Sequence, residues 1–133
     1  MNSISGMPAA GVREEDLRAA DLREVATGRL YIDGEPEVRI RDKDAARDSS
    51  ARFMLVVTRM GDEDGPVGLT SSLFAAAGTA QDEEDAALQF AATRVTACGG
   101  VVLGQTVERI DAPPDEVTTY LVKNLLRSAK AQT

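Results

Sequence analysis

The stretch ARFMLVVTRM, residues 51–60, decides how this chain is read. In an extended segment successive side chains point to opposite faces. Phe53, Leu55 and Val57 then share one face, and Met54, Val56 and Met60 share the other. Both faces are apolar. A strand with one wet face alternates apolar and polar residues, whereas a strand apolar on both sides is covered on both. The segment therefore reads as a central strand. Its cover comes either from helices of the same chain or from another subunit.

Downstream, GDEDGPVG (residues 61–68) is a turn by composition. LTSSLFAAAGTA (69–80) is rich in small residues and reads equally as a short buried helix or an adaptable loop. DEEDAALQFAATRVTACGG (82–100) is a helix. Four acids occupy its first turn, where the helix dipole favours them. Leu88, Ala91, Ala92, Val95 and Cys98 follow a three-four spacing and form an apolar stripe. Gly99 and Gly100 supply the stop. VVLGQTVERI (101–110) is a strand. Asp111-Ala112-Pro113-Pro114 then opens a last helix with proline in the first turn. Val117, Tyr120, Leu121 and Leu125 lie on one face of that helix.

Upstream, RDKDAARDSSAR (41–52) is a charged connection of mixed sign. RLYIDGEPEVRIR (29–41) reads as two short strands around Asp33-Gly34, a dipeptide that favours hairpin turns. Pro36 places the second strand after it or on a sheet edge, because proline has no N–H to donate to a ladder. REEDLRAADLREVATG (13–28) carries acids in its first turn and ends in glycine, which predicts a helix. Residues 1–12 form a polar arm of small residues.

The pattern yields one α+β domain over residues 13–133, preceded by the arm over 1–12. The expected architecture is a two-layer sandwich, with a small, mostly antiparallel sheet packed by two or three helices. A chain of 133 residues can bury a stable core. That core is lean, with no Trp, two Tyr and three Phe. Small side chains each bury little area, which predicts that some apolar surface is covered by a partner.

Composition removes several kinds of chemistry. The chain has no His and a single Cys, Cys98. Serine–histidine and cysteine–histidine catalysis, common zinc sites and internal disulfides are all excluded within it. The net charge is −7, and both halves are acidic, so no phosphate-tracking nucleic-acid surface is expected. No apolar run approaches the roughly 20 residues of a membrane helix. The first residues lack the basic and apolar regions of a signal peptide, and the expected location is cytoplasmic.

The remaining candidate sites have simpler explanations. In TACGGVVLG (96–104) the order is helix, glycines, strand, the reverse of a dinucleotide-binding turn. Cys98 falls at a helix C-terminus, where a thiolate gains nothing from the dipole, and is expected to be a buried structural residue. Asp62, Glu63 and Asp64 offer oxygen ligands but not the spacing of a calcium loop, so a solvated turn is expected. Ser71-Ser72 has no base to activate it.

No metal, cofactor or catalytic residue is therefore assigned. The sequence points to a non-enzymatic structural or assembly protein that self-associates or attaches to a larger complex, such as a viral or phage particle. The alternatives are an acidic adaptor that binds another protein, and a small enzyme subunit using carboxylates. The expected partner is protein, a second copy or a larger assembly, with no nucleic acid and no membrane. The candidate interaction surface combines the two-faced strand (Phe53, Leu55, Val57) with the acidic helix start (Asp82, Glu83, Asp85).

Overall fold

The computed structural model describes residues 22–44, 52–76, 81–110 and 117–131. Five antiparallel strands form one sheet, in the order β2-β1-β4-β3-β5. They are β1 (Leu22–Tyr31), β2 (Glu37–Ile40), β3 (Arg52–Asp62), β4 (Gly65–Ala76) and β5 (Val101–Ile110). Among the described residues two helices accompany them, α1 (Gln81–Ala97) and α2 (Val117–Ala131). The mixed α+β class expected from the pattern is present.

Strand β3 lies between β4 and β5, as its two apolar faces require. Phe53, Leu55 and Val57 join Val25, Ala26, Leu30 and Leu73 in one core, closed by Val117, Leu121 and Leu125 of α2. Met54 and Val56 join Leu22 and Phe74 in a second core, closed by Ala87, Phe90 and Ala91 of α1. The two helices thus pack on opposite faces of the sheet. This differs from the two-layer arrangement expected, because the alternation of β3 feeds two cores and each needs its own lid. The Phe74 and Phe90 rings meet edge to face, with centroids 6.1 Å apart at 81°.

The Asp33-Gly34 hairpin forms as expected. Asp33 takes φ 66°, and the Gly34 N–H donates to the Tyr31 carbonyl at 2.9 Å. Strand β2 begins directly after Pro36 and is an edge strand. The helix expected over Arg13–Gly28 is corrected. Residues 13–21 and the arm over 1–12 lie outside the described residues, and Leu22–Gly28 is strand. Here β1 pairs with β2 on one side and β4 on the other, so its backbone groups are satisfied across the sheet instead of along a helix. A bulge between Glu24 and Ala26 turns both Val25 and Ala26 inward. That doubling breaks the period-two signal that would have marked the strand.

The small-residue segment from Leu69 is neither helix nor loop. Through Ala76 it continues β4, the strand flanked by β1 and β3. Residues 77–80 lie outside the described set. The turn expected over Gly61–Gly68 narrows to Glu63 and Asp64, with Asp62 paired to Gly65 across it. Helix α1 and strand β5 fall where expected. Gly99, at φ 87°, ends α1, and the Gly100 N–H returns to the Val95 carbonyl at 3.0 Å. The proline-led start of α2 lies outside the described residues.

Gly28 has a packing role. A Cβ there would stand 2.7 Å from Ser71 Oγ and 3.0 Å from a methyl of Leu125. The absent side chain lets α2 settle onto β1.

Candidate functional site

The helices cover different parts of the sheet, and this difference creates the site. On one face α1 packs over β3, β4 and β5. On the other, α2 packs over β1, β2 and β4. The face of β1 and β2 that shares a side with α1 forms the floor of a groove of about 570 Å³, walled by the C-terminal half of α1. That volume lies within the range of small-molecule sites.

Cross-strand rows show how its chemistry arises. One row on the α1 face runs Arg39, Thr27, Ser72, Val56 and Val107, across β2, β1, β4, β3 and β5. The next runs Glu37, Arg29, Thr70, Thr58 and Gln105. Each row is charged or hydroxylic at the β2 end. Beneath α1 the first row becomes apolar. The second is closed there by paired polar groups, with Gln105 Nε2 donating to Thr58 Oγ1 and to the Leu88 carbonyl, both at 3.0 Å.

Four arginines line the groove, Arg29, Arg39, Arg41 and Arg94. Arg94 leaves α1 and clamps Glu24 of β1 with two 2.7 Å hydrogen bonds, while its guanidinium lies 4.7 Å from the Phe90 ring centroid. Arg41 approaches the same carboxylate at 3.5 Å. Arg29 pairs with Glu37 at 3.3 Å and lies 5.7 Å from the Tyr31 ring centroid. The Glu37 hydrogen bond, with its charge, raises the Arg29 pKa above the usual value. Arg39 has no ion pair among the described residues. The hydroxyl residues Thr27, Thr70 and Ser72 line the floor.

The residues singled out from sequence fall elsewhere. Phe53, Leu55 and Val57 are 1%, 2% and 7% exposed, so they build the core beneath α2 and offer no surface to a partner. Burial follows from the central place of β3. Glu83 is also buried, Asp85 is exposed, and the side chain of Asp82 lies outside the described residues. The neighbouring Glu84 holds Arg109 of β5 at 2.9 Å, so part of the acidic helix start ties α1 to the sheet. Cys98 is exposed, contrary to expectation, because α1 ends at Ala97 and leaves it in the following turn at the end of the groove. Asp62 Oδ1 accepts the Asp64 N–H at 2.8 Å, which accounts for the acidic turn by local geometry.

The groove went unseen in the sequence, although a signal was present. With the hairpin registered about Asp33-Gly34, Thr27 faces Arg39 and Arg29 faces Glu37. Reading Leu22–Gly28 as helix hid that alignment.

Strand β5 presents a second feature. Among the described residues it is the outer strand opposite β2, ten residues long, with Val101 and Leu103 exposed. Among the described residues no helix is long and apolar enough to cross a membrane. No family model, curated protein or solved structure matches the chain.

Proposed function

We propose that the chain is a non-enzymatic assembly protein that joins to a second copy of itself along β5. The observation that carries this reading is the length and composition of that edge. Ten residues of outer strand carry no charge from Val101 to Val107 and expose two large apolar side chains. Unpaired edge N–H and C=O groups are a template for another strand. The opposite edge, β2, has only four residues and follows Pro36. An antiparallel pairing of β5 with itself about a twofold axis at Thr106 sets Glu108, the one acid of the strand, across from Gly104 of the partner subunit. No like charges then face each other. Such a contact satisfies both edges at once and closes on itself. Attachment to a larger particle extends the same reading. A cytoplasmic setting rests on the lone, unpaired cysteine.

Light scattering across micromolar concentrations, at low and high salt, tests the proposal. The expected mass is about twice 14.1 kDa and persists in high salt, because the contact is made by backbone and apolar groups. The double variant Val101→Lys, Thr106→Lys, both on exposed positions, is expected to be monomeric with an unchanged unfolding midpoint. A wild-type monomer at every concentration overturns the reading.

A further inference from the structure

We propose that the groove beside α1 binds a small phosphorylated polyol, of the sugar-phosphate class. The groove takes no lining residue from β5. The chain carries −7, yet Arg29, Arg39, Arg41 and Arg94 converge on one concave surface. Against them stand Glu37 and Asp62, which also line the groove, and Glu24, which does not line it but pairs with Arg41 and Arg94; among the described residues this leaves +1 (four cations less three anions). The excess is not spread evenly. Glu37 matches Arg29, and Glu24 is shared by Arg41 and Arg94. Arg39 is left without an ion pair among the described residues, and Arg41, one residue past the end of β2, reaches Glu24 of β1.

Arg39 and Arg41 both line the groove, two residues apart in the chain. Two guanidiniums on such a spacing can meet a phosphate from two sides, and guanidinium forks match phosphate oxygens in pairs. Arg41 is already steadied by Glu24, which Arg94 holds through two hydrogen bonds. Part of the anion site is therefore ordered before any ligand arrives, and ordering in advance lowers the cost of binding.

The rest of the floor suits hydroxyl groups. Thr27 lies across from Arg39 and Ser72 lies across from Thr27, so two hydroxyl residues continue the row that begins at Arg39. Thr70 adds a third from the neighbouring row. Tyr31, 42% exposed, also lines the groove, with the Arg29 guanidinium over its ring. An anion at Arg39 and Arg41 with hydroxyls extending toward Ser72 describes a phosphate carried on a polyol.

The test is an amide chemical-shift titration of the full chain with ribose 5-phosphate, inorganic phosphate and ribose as separate probes. The expected result is saturable shifts at Thr27, Arg39 and Ser72 with ribose 5-phosphate, weaker shifts with phosphate, and none with ribose at the same concentration. Arg39→Gln is expected to weaken ribose 5-phosphate binding about 10- to 100-fold, the effect of losing a charge-assisted contact. Arg127→Gln, on α2 across the sheet, is expected to leave it unchanged. Equal affinity for inorganic phosphate overturns the polyol part of the proposal. Absence of saturable shifts at millimolar ligand, or equal weakening by both variants, overturns the site.

Discussion

Arg94 of α1 and Glu24 of β1 stand 70 residues apart in the chain and meet through two parallel 2.7 Å hydrogen bonds, Nη1 to Oε2 and Nη2 to Oε1. The Glu24 side chain is 9% exposed and that of Arg94 is 35% exposed, so the pair lies partly out of water. It joins the helix wall of the groove to its floor. Glu24→Gln leaves Arg94 and Arg41 close together without a full counter-charge. The expected loss is about 1–2 kcal/mol of unfolding free energy, the low end for charge-assisted contacts because Arg94 is partly solvated. Urea unfolding checks this, and an unchanged midpoint refutes it.

The doubly covered β3 makes its core sites expensive to empty. Leu55 and Leu121 are 2% and 0% exposed and belong to one cluster. Leu121→Ala is expected to cost about 2–5 kcal/mol. In a core with few aromatic side chains, that is a large share of the total. Thermal unfolding followed by circular dichroism measures it, and a loss below about 1 kcal/mol means that α2 packs less tightly than its burial implies.

Gly28→Ala tests the close approach of α2 to β1. The new methyl meets Ser71 Oγ at 2.7 Å and Leu125 Cδ1 at 3.0 Å. Strands ordinarily gain from replacing glycine, since its unfolded chain is the more flexible. Here overpacking opposes that gain, and a net destabilisation of about 1–3 kcal/mol is expected. Pairing it with Ser71→Gly, which removes the nearer contact, is expected to recover part of the loss in the same urea assay.

Tyr120 gives the structure an alkaline limit. Burial, reinforced by the charge of Glu108 and opposed by Arg127, raises its phenol pKa above the ordinary value of 10.0. A folded-state pKa raised above the unfolded one means that the native chain holds the proton longer. The contribution is therefore present in full below about pH 10 and is lost as pH rises through the native pKa. The Tyr120 hydroxyl is buried without a hydrogen-bond partner among the described residues. Tyr120→Phe is thus expected to be nearly neutral at pH 8 and to flatten the loss of stability above pH 10. Urea midpoints of both proteins from pH 8 to 11 supply the comparison, and parallel curves refute it.

Much of the fold was legible wherever one local rule acted alone. The two apolar faces of residues 51–60 placed β3 inside the sheet, Asp33-Gly34 and Pro36 set the hairpin, and the acids before Ala86 with Gly99 bracketed α1. Each signal is short-ranged: strand alternation, a turn dipeptide, a helix dipole and its stop. The same reading failed at Leu22–Gly28 and at Leu69–Ala76, where composition is helix-tolerant or small and the strand exists because of its neighbours. For β1 a bulge erased the alternation as well.

Composition and alternation are enough for the mixed α+β class, the central strand, and the exclusion of histidine chemistry and of a disulfide within the chain. Only the tertiary structure decided that the helices lie on opposite faces, that Phe53, Leu55 and Val57 face a core instead of a partner, and that four arginines share one groove. The physical reason is the register. Thr27, Arg39, Ser72 and Arg94 come from three strands and a helix, and no spacing along the chain records that β1 lies between β2 and β4.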